Sequence, residues 1–232
     1  MVKKIAILGD FNPIYKTHHT LNDSTRQVSK YLKTEIQFDW IATDIFDYKT
    51  AFNNMYCGLW LAPGTPYRDD EKVIRTIKYA RENNIVTFGN CGGFQYMVIE
   101  FARNVCGIEN ANHEESYPEK ENLVISKLSC SLIEQQENLE IIDKDSIIYR
   151  AIQKEKFIGR YFCNYGLNQK FLDVLTSNGL NFTSKSEDGQ MRSFEIKSHP
   201  FFVGTLFQPA LTSKENEPNP IILEFVKKCL AN

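Results

Sequence analysis

The 232-residue chain has no excess of either charge: 27 Lys plus Arg stand against 29 Asp plus Glu, a formal net charge of −2. Without a basic field there is nothing to grip a phosphate backbone, so nucleic acid is not an expected partner. Long apolar runs are missing too. None approaches the ~18–20 residues that a membrane span needs, and the opening Met-Val-Lys-Lys-Ile-Ala-Ile-Leu-Gly lacks a signal-peptide core. No membrane partner is expected, and the expected location is cytoplasmic. Cysteines are few and scattered, at 57, 91, 106, 130, 163 and 229, with no C-x-x-C. That spacing disfavours a disulfide framework and a metal site and predicts reduced thiols. Histidine is scarcer still: only His18, His19, His113 and His199 are available as imidazole bases.

What remains is an ordinary globular composition, 42% hydrophobic, long enough to bury its own core. Short β-branched runs alternate with helical patterns. Strands are predicted over 4–8, 36–41, 59–62 and 85–88, and helices over 20–32, 71–84 and 94–105. That alternation implies a parallel sheet covered on both faces. Beyond Cys106 the polar stretch 109–121 reads as a surface excursion. Strands at 124–125, 139–142, 156–162, 181–184, 192–196 and 201–207 follow, with helices at 169–176 and 218–230. With no composition break, the expectation is one domain over 1–232: an α/β core with a small antiparallel patch. Cys57, Cys106, Cys130 and Cys229 lie in or beside apolar segments and read as small core residues.

Between a predicted strand and a predicted helix stands Phe88-Gly89-Asn90-Cys91-Gly92-Gly93-Phe94-Gln95. Its G-x-C-x-G form is the cysteine counterpart of a nucleophile elbow. Glycines flank a position too crowded for side chains, the thiol projects toward a helix N-terminus, and the Gly92 N–H can face an oxyanion. A second oxyanion donor would come from Leu61-Ala62-Pro63-Gly64-Thr65-Pro66, which reads equally well as a proline-flanked turn.

The chain resembles the glutaminase domain of CTP synthase, a class I glutamine amidotransferase. The resemblance rests on Leu61-Ala62-Pro63-Gly64, Tyr79-Ala80-Arg81-Glu82-Asn83, the elbow, Ile99-Glu100-Phe101-Ala102-Arg103-Asn104-Val105, Glu109-Asn110-Ala111-Asn112 and His199-Pro200-Phe201-Phe202-Val203. It implies a flavodoxin-like fold and no cofactor. It further implies Cys91 as nucleophile, Gly64, Thr65 and Gly92 around the oxyanion hole, and Gln95 and Glu115 holding a glutamine-related small molecule. Departures are equally specific. The family's His-Pro-Glu reads Gln208-Pro209-Ala210, removing both the base and its orienting carboxylate. The arginine-rich substrate run reads Gly159-Arg160-Tyr161-Phe162-Cys163-Asn164-Tyr165, with Asn164 where the last arginine would stand. The resemblance covers a single domain, so this polypeptide is not expected to make CTP alone.

A base is commonly worth ~10²–10⁴-fold, and a free thiol is only a few per cent ionised at neutral pH. Ordinary glutamine hydrolysis is therefore expected to be slow or absent. His18, His19, His113 or Asp10 would be the replacement groups to examine. Two readings stay open: a Cys91-dependent hydrolase or transferase acting on an amide or carbonyl compound other than glutamine, and an inactive relative that binds a small ligand or regulates a partner.

Overall fold

The computed structural model describes residues 2–231. Strand β1 (Lys3–Leu8) is buried on both faces from Ile5 onward, the pattern of a central parallel strand. It pairs in parallel with β2 (Ile36–Ile41) on one side and with β3 (Gly58–Leu61) on the other. Next come the helices α1 (Lys16–Leu32), α2 (Tyr48–Asn54) and α3 (Asp70–Glu82). Strand β4 (Thr87–Asn90) adds beside β3 and leads into α4 (Gly92–Asn104). A three-stranded sheet follows, built from β5 (Asn112–His113), β6 (Leu123–Lys127) and a later strand. The second half comprises β7 (Gln136–Ile141), α5 (Ile147–Ile152), β8 (Lys156–Arg160), β9 (Tyr165–Leu167), α6 (Leu172–Ser177), β10 (Asn181–Ser186), β11 (Met191–Glu195), β12 (Phe202–Thr205) and α7 (Pro220–Ala231).

The main sheet runs β2-β1-β3-β4-β12-β11-β10-β7-β8, and β5-β6-β9 forms the small one. The first five strands of the main sheet are parallel, and the next four continue it antiparallel. Among the helices, α1 packs on α7 and α3 packs on α4. The order reverses between β1 and β3. Parallel sheets build their sites beyond the carboxyl ends of the strands at such a switch point.

The small patch expected from the sequence is present, with β9 antiparallel to β6, and the main sheet carries antiparallel strands beyond it. Several other elements differ from the sequence expectation. Helix α1 begins at Lys16 instead of 20, which turns His18 inward. The stretch 109–121 contains β5, whose Asn112 and His113 are buried. The expected strand 156–162 ends at Arg160, and that at 201–207 covers only Phe202–Thr205. Cys130 is exposed, so the core reading fails there, whereas Cys57 and Cys106 are half-buried against the core and Cys229 is fully buried in it. Among the described residues, no helix is long and apolar enough to cross a membrane.

Helix α3 starts on the Asp69 carboxylate, which accepts from the Lys72 N–H at 2.8 Å, with Asp70 and Glu71 in its positive first turn. Its last turn anchors α4. The Arg81 guanidinium donates to Glu100 at 2.7 and 3.0 Å, and Glu100 is fully buried. Removing the guanidinium strands a buried carboxylate. Arg81→Met should lower unfolding free energy by about 3–5 kcal/mol in a denaturant titration, and a loss below 1 kcal/mol would show that Glu100 is protonated or reached by water.

Candidate functional site

The site grows from the junction of β4 and α4. Cys91 has φ 53° and ψ −108°, a conformation that costs a side-chain-bearing residue ~1–3 kcal/mol and persists only where its surroundings enforce it. They do. The Cys91 N–H donates to Thr205 O at 2.9 Å at the end of β12, and the Cys91 carbonyl accepts from the Gln95 N–H at 3.1 Å to start the helix. A Cβ at Gly93 would lie 2.5 Å from Leu61 O, and one at Gly92 would lie 2.9 Å from Gly64 O. Only glycine lets α4 approach the end of β3 this closely. The elbow expected from the sequence is therefore present as geometry.

Cys91 is only 6% exposed. The Cys163 thiol donates to its sulfur, and the Gly92 and Gly64 backbone N–H groups point at it. Together they hold the Cys91 thiol below its ordinary value against the opposing effect of burial. Both backbone donors belong to the loops named from the sequence. Thr65 instead uses its hydroxyl, which donates to Glu115.

A cavity of about 340 Å³ opens over the thiol. Gly64, Thr65, Cys91, Gln95, Glu115, Asn164 and Gln208 all line it, together with Phe162, Cys163 and Tyr165. Gly92 contributes its N–H at the thiol, and Ala210 lies buried in the short turn after Gln208, outside the lining. Arg160 is exposed and does not line the cavity. Among the described residues, the cation that does is Lys16, 4.0 Å from Glu134.

His113 organises the far wall. Its Nε2–H donates to Gln95 Oε1 at 3.1 Å, and its Nδ1 accepts from the Glu115 N–H at 3.1 Å. Gln95 in turn donates to Tyr165 O at 2.8 Å. Burial lowers the His113 pKa to about 4 and raises that of Glu115, so the imidazole is neutral and fully committed. His18 holds the other wall in the same manner. Its Nδ1 accepts from the Asn12 N–H at 3.0 Å and its Nε2–H donates to Pro63 O at 2.9 Å, behind Gly64.

Neither ring has a free nitrogen for the Cys91 proton. His19 is on the surface against Pro13 O, and His199 is buried at the start of β12, at the opposite end of the sheet. Asp10 accepts from Thr43 and from the Arg68 N–H, which occupies it structurally. None of the four replacement groups considered from the sequence is placed as a base.

The family profile described as "Glutamine amidotransferase class-I" matches residues 17–228. The chain belongs to the class I glutamine amidotransferases. It is 30% identical over 240 residues to the CTP synthase of Saccharolobus solfataricus and 29% identical over 248 residues to that of Nautilia profundicola. These alignments cover 96% and 97% of this chain but 44% and 45% of the relatives. The chain thus spans less than half the length of those enzymes. In fold it matches the glutaminase domain of Trypanosoma brucei CTPS with bound acivicin, with a TM-score of 0.90, 21% identity and coverage of 100% and 95% of the two chains. A glutamine amidotransferase from Thermotoga maritima matches at TM-score 0.61 and 10% identity, over 100% of both chains.

In this amidotransferase domain Gln208 is 1% exposed, and neither its Oε1 nor its Nε2 has a hydrogen-bond partner among the described residues. An unpaired buried carboxamide costs on the order of 1–3 kcal/mol for each group left unmade. No group of three or more His, Cys, Asp or Glu side chains among the described residues could hold a metal. A second perturbed thiol lies away from the cavity. Cys57, before β3, is drawn down to about 7 by a hydrogen bond from Cys229.

The neutral His113 has a measurable consequence. Its folded pKa of about 4 lies below the unfolded value near 6.5, so the unfolded chain binds more protons between those pH values. Stability should be fully present above pH 6.5 and fall by about 3 kcal/mol for this group by pH 4. Burial displaces His18 and His199 in the same direction. Urea titrations at about pH 6.5 and about pH 4.5 should therefore show a smaller acid loss in His113→Gln than in the wild type. Equal losses would mean that His113 titrates normally.

Proposed function

We propose that this domain uses Cys91 as the nucleophile of a hydrolase or transferase whose substrate is an amide or related carbonyl compound other than ordinary glutamine. The observation that carries the reading is the thiol itself, held at a strained elbow with the Gly64 and Gly92 N–H groups converging on it. Attack forms a sulfur–carbon bond and moves charge onto the carbonyl oxygen, and the two backbone N–H groups beside the sulfur are the donors available to stabilise it. Gln95 and Glu115, cross-linked by His113, offer a polar wall for an amino-bearing substrate.

Discrimination against glutamine follows from the opposite wall. Where the family resemblance calls for a histidine, Gln208 cannot take up the thiol proton or return it to departing ammonia. Where it calls for an arginine, Asn164 offers no charge to a carboxylate, and a charge-assisted hydrogen bond is worth ~1.5–3 kcal/mol. A second reading draws on the same residue: the unpaired Gln208 amide favours a pocket that binds a small ligand without turning it over.

Ammonia release separates these readings. Glutamine turnover should fall far below ~1 per second, while a panel of primary amides, amino-acid esters and thioesters should yield at least one substrate whose cleavage Cys91→Ala abolishes. No Cys91-dependent cleavage of any panel member would favour ligand binding alone. Gln208→His with Ala210→Glu should raise Cys91 alkylation by restoring a base term of up to ~10²–10⁴-fold. Appreciable glutaminase activity should require Asn164→Arg as well. Full activity without that third change would show that the wall near Asn164 already accepts glutamine.

A further inference from the structure

The proposed acyl chemistry uses one thiol of the cavity and leaves the other without a task. Cys163 is 7% exposed, lines the same cavity as Cys91 and follows Phe162, whose carbonyl lies 3.9 Å from the Cys91 sulfur. Its place in the chain puts it on a wall of the site, and the fold sets its thiol in the cavity that holds the nucleophile. Among the described residues, no imidazole or carboxylate takes the position beside Cys91 where a proton acceptor would be expected. The group found there is a second buried thiol lining the same cavity, one residue on from the carbonyl that the Cys91 sulfur approaches.

We propose that Cys91 and Cys163 form a peroxide-reactive pair, in which Cys91 is oxidised by a small hydroperoxide and Cys163 resolves the product as a disulfide. The inference rests on the reading of Cys91 as an activated thiol, but it needs no amide substrate. In the first step the Cys91 thiolate attacks the terminal oxygen of ROOH. A sulfur–oxygen bond forms, the oxygen–oxygen bond breaks, and the alkoxide takes the Cys163 proton to leave as ROH.

Cys91 is then a sulfenic acid, two electrons more oxidised, and Cys163 a thiolate. In the second step Cys163 attacks the Cys91 sulfur. The sulfur–sulfur bond forms, the sulfur–oxygen bond breaks, and hydroxide leaves as water with one solvent proton. One thiolate, one thiol, one hydroperoxide and one proton thus give a disulfide, an alcohol and water.

The polar donors that favour Cys91 as an acyl nucleophile serve this chemistry equally. Gly64 and Gly92 stabilise negative charge on sulfur, and the cavity admits an oxidant the size of hydrogen peroxide or tert-butyl hydroperoxide. The Cys163 thiol is pushed well above its ordinary value by its bond to Cys91 and by burial. It therefore stays protonated until Cys91 has reacted, the order a resolving thiol needs. The product would cap the nucleophile and close the site to acyl substrates.

Stoichiometric tert-butyl hydroperoxide added to the reduced protein, followed by non-reducing peptide mapping, tests the pair. The wild type should give a peptide joining Cys91 to Cys163 and losing two hydrogens, reversed by dithiothreitol, with little dimedone adduct. In Cys163→Ser the same oxidant should leave Cys91 as a sulfenic acid, raising its dimedone adduct by about tenfold because no resolving thiol competes. Cys91→Ser should leave Cys163 unoxidised. A link confined to Cys57 and Cys229, or equal dimedone labelling of Cys91 with and without Cys163, would overturn the proposal. Absence of amide cleavage would not, since the readout is covalent and substrate-free.

Discussion

The backbone of Cys91 is the constraint on which the site depends. Its positive φ is imposed by contacts on three sides: the Thr205 carbonyl receives its N–H, the helix begins on its own carbonyl, and Leu61 O bars any side chain at Gly93. Two of these contacts come from different strands of the parallel half, Thr205 from β12 and Leu61 from β3, and the third from the first turn of α4. Register makes them meet, because β4 pairs Leu61 with Gly89 on one side and Thr205 with Asn90 on the other. The strain at one residue is thus balanced by hydrogen bonds and packing that the ends of β3 and β12 and the start of α4 supply together. The Arg81–Glu100 pair extends the same logic outward by fixing α4 on α3, so that the helix carrying the thiol cannot tilt without uncovering a buried charge.

Around this junction the second layer is uncharged. His18 and His113 each use one ring nitrogen to donate and the other to accept, and burial keeps both rings neutral. They tie the Gly64 loop and the Gln95–Glu115 wall to the sheet. A histidine in such a role is lost as an acid or base, because a proton added to its accepting nitrogen breaks the bond that orients the ring. The Cys91 thiol is consequently tuned by dipoles: two backbone N–H groups and a neighbouring thiol in place of an imidazolium. Dipoles that do not titrate can favour a thiolate but cannot relay its proton. This is the physical reason that the residue beside the thiol matters more than the elbow itself for the choice of chemistry.

Much of this is legible in the amino-acid order. The segment 36–41 coincides with β2, and the strand–Cys–Gly–Gly–helix junction points to Cys91, Gly92 and the shape around them, since steric demands at a sharp turn leave a compositional trace. The residues that stay hidden are those whose roles come from burial of polar groups. Asn112 and His113 sit in a polar stretch that patterning assigns to solvent. They are buried because Arg103 reaches Asn112 at 3.3 Å and Ala111 O at 2.7 Å, while His113 finds Gln95. Hydrophobic periodicity carries no signal for such satisfied polar contacts. The short helices α2 and α5 are invisible for a related reason: each rests on a side-chain cap, Asp47 and Ser146, and is too short to show a period. Resemblance puts Cys163 in the substrate-facing run, but only the fold brings its sulfur to Cys91.

One side of the cavity holds Glu115 and Gln95 in a fixed network, and the other presents Gln208 with donor and acceptor both unused among the described residues and Asn164 without charge. Burying a carboxamide unpaired is unfavourable by on the order of 1–3 kcal/mol for each group, and the protein recovers that only if something in the cavity bonds to it. A neutral partner with both a donor and an acceptor does so without the desolvation cost that a carboxylate would meet here. Lys16, the cation of the lining, lies near Glu134, which offsets part of its field. The electrostatics of the pocket thus favour a neutral, hydrogen-bonding group near Gln208 and an amino group near Glu115.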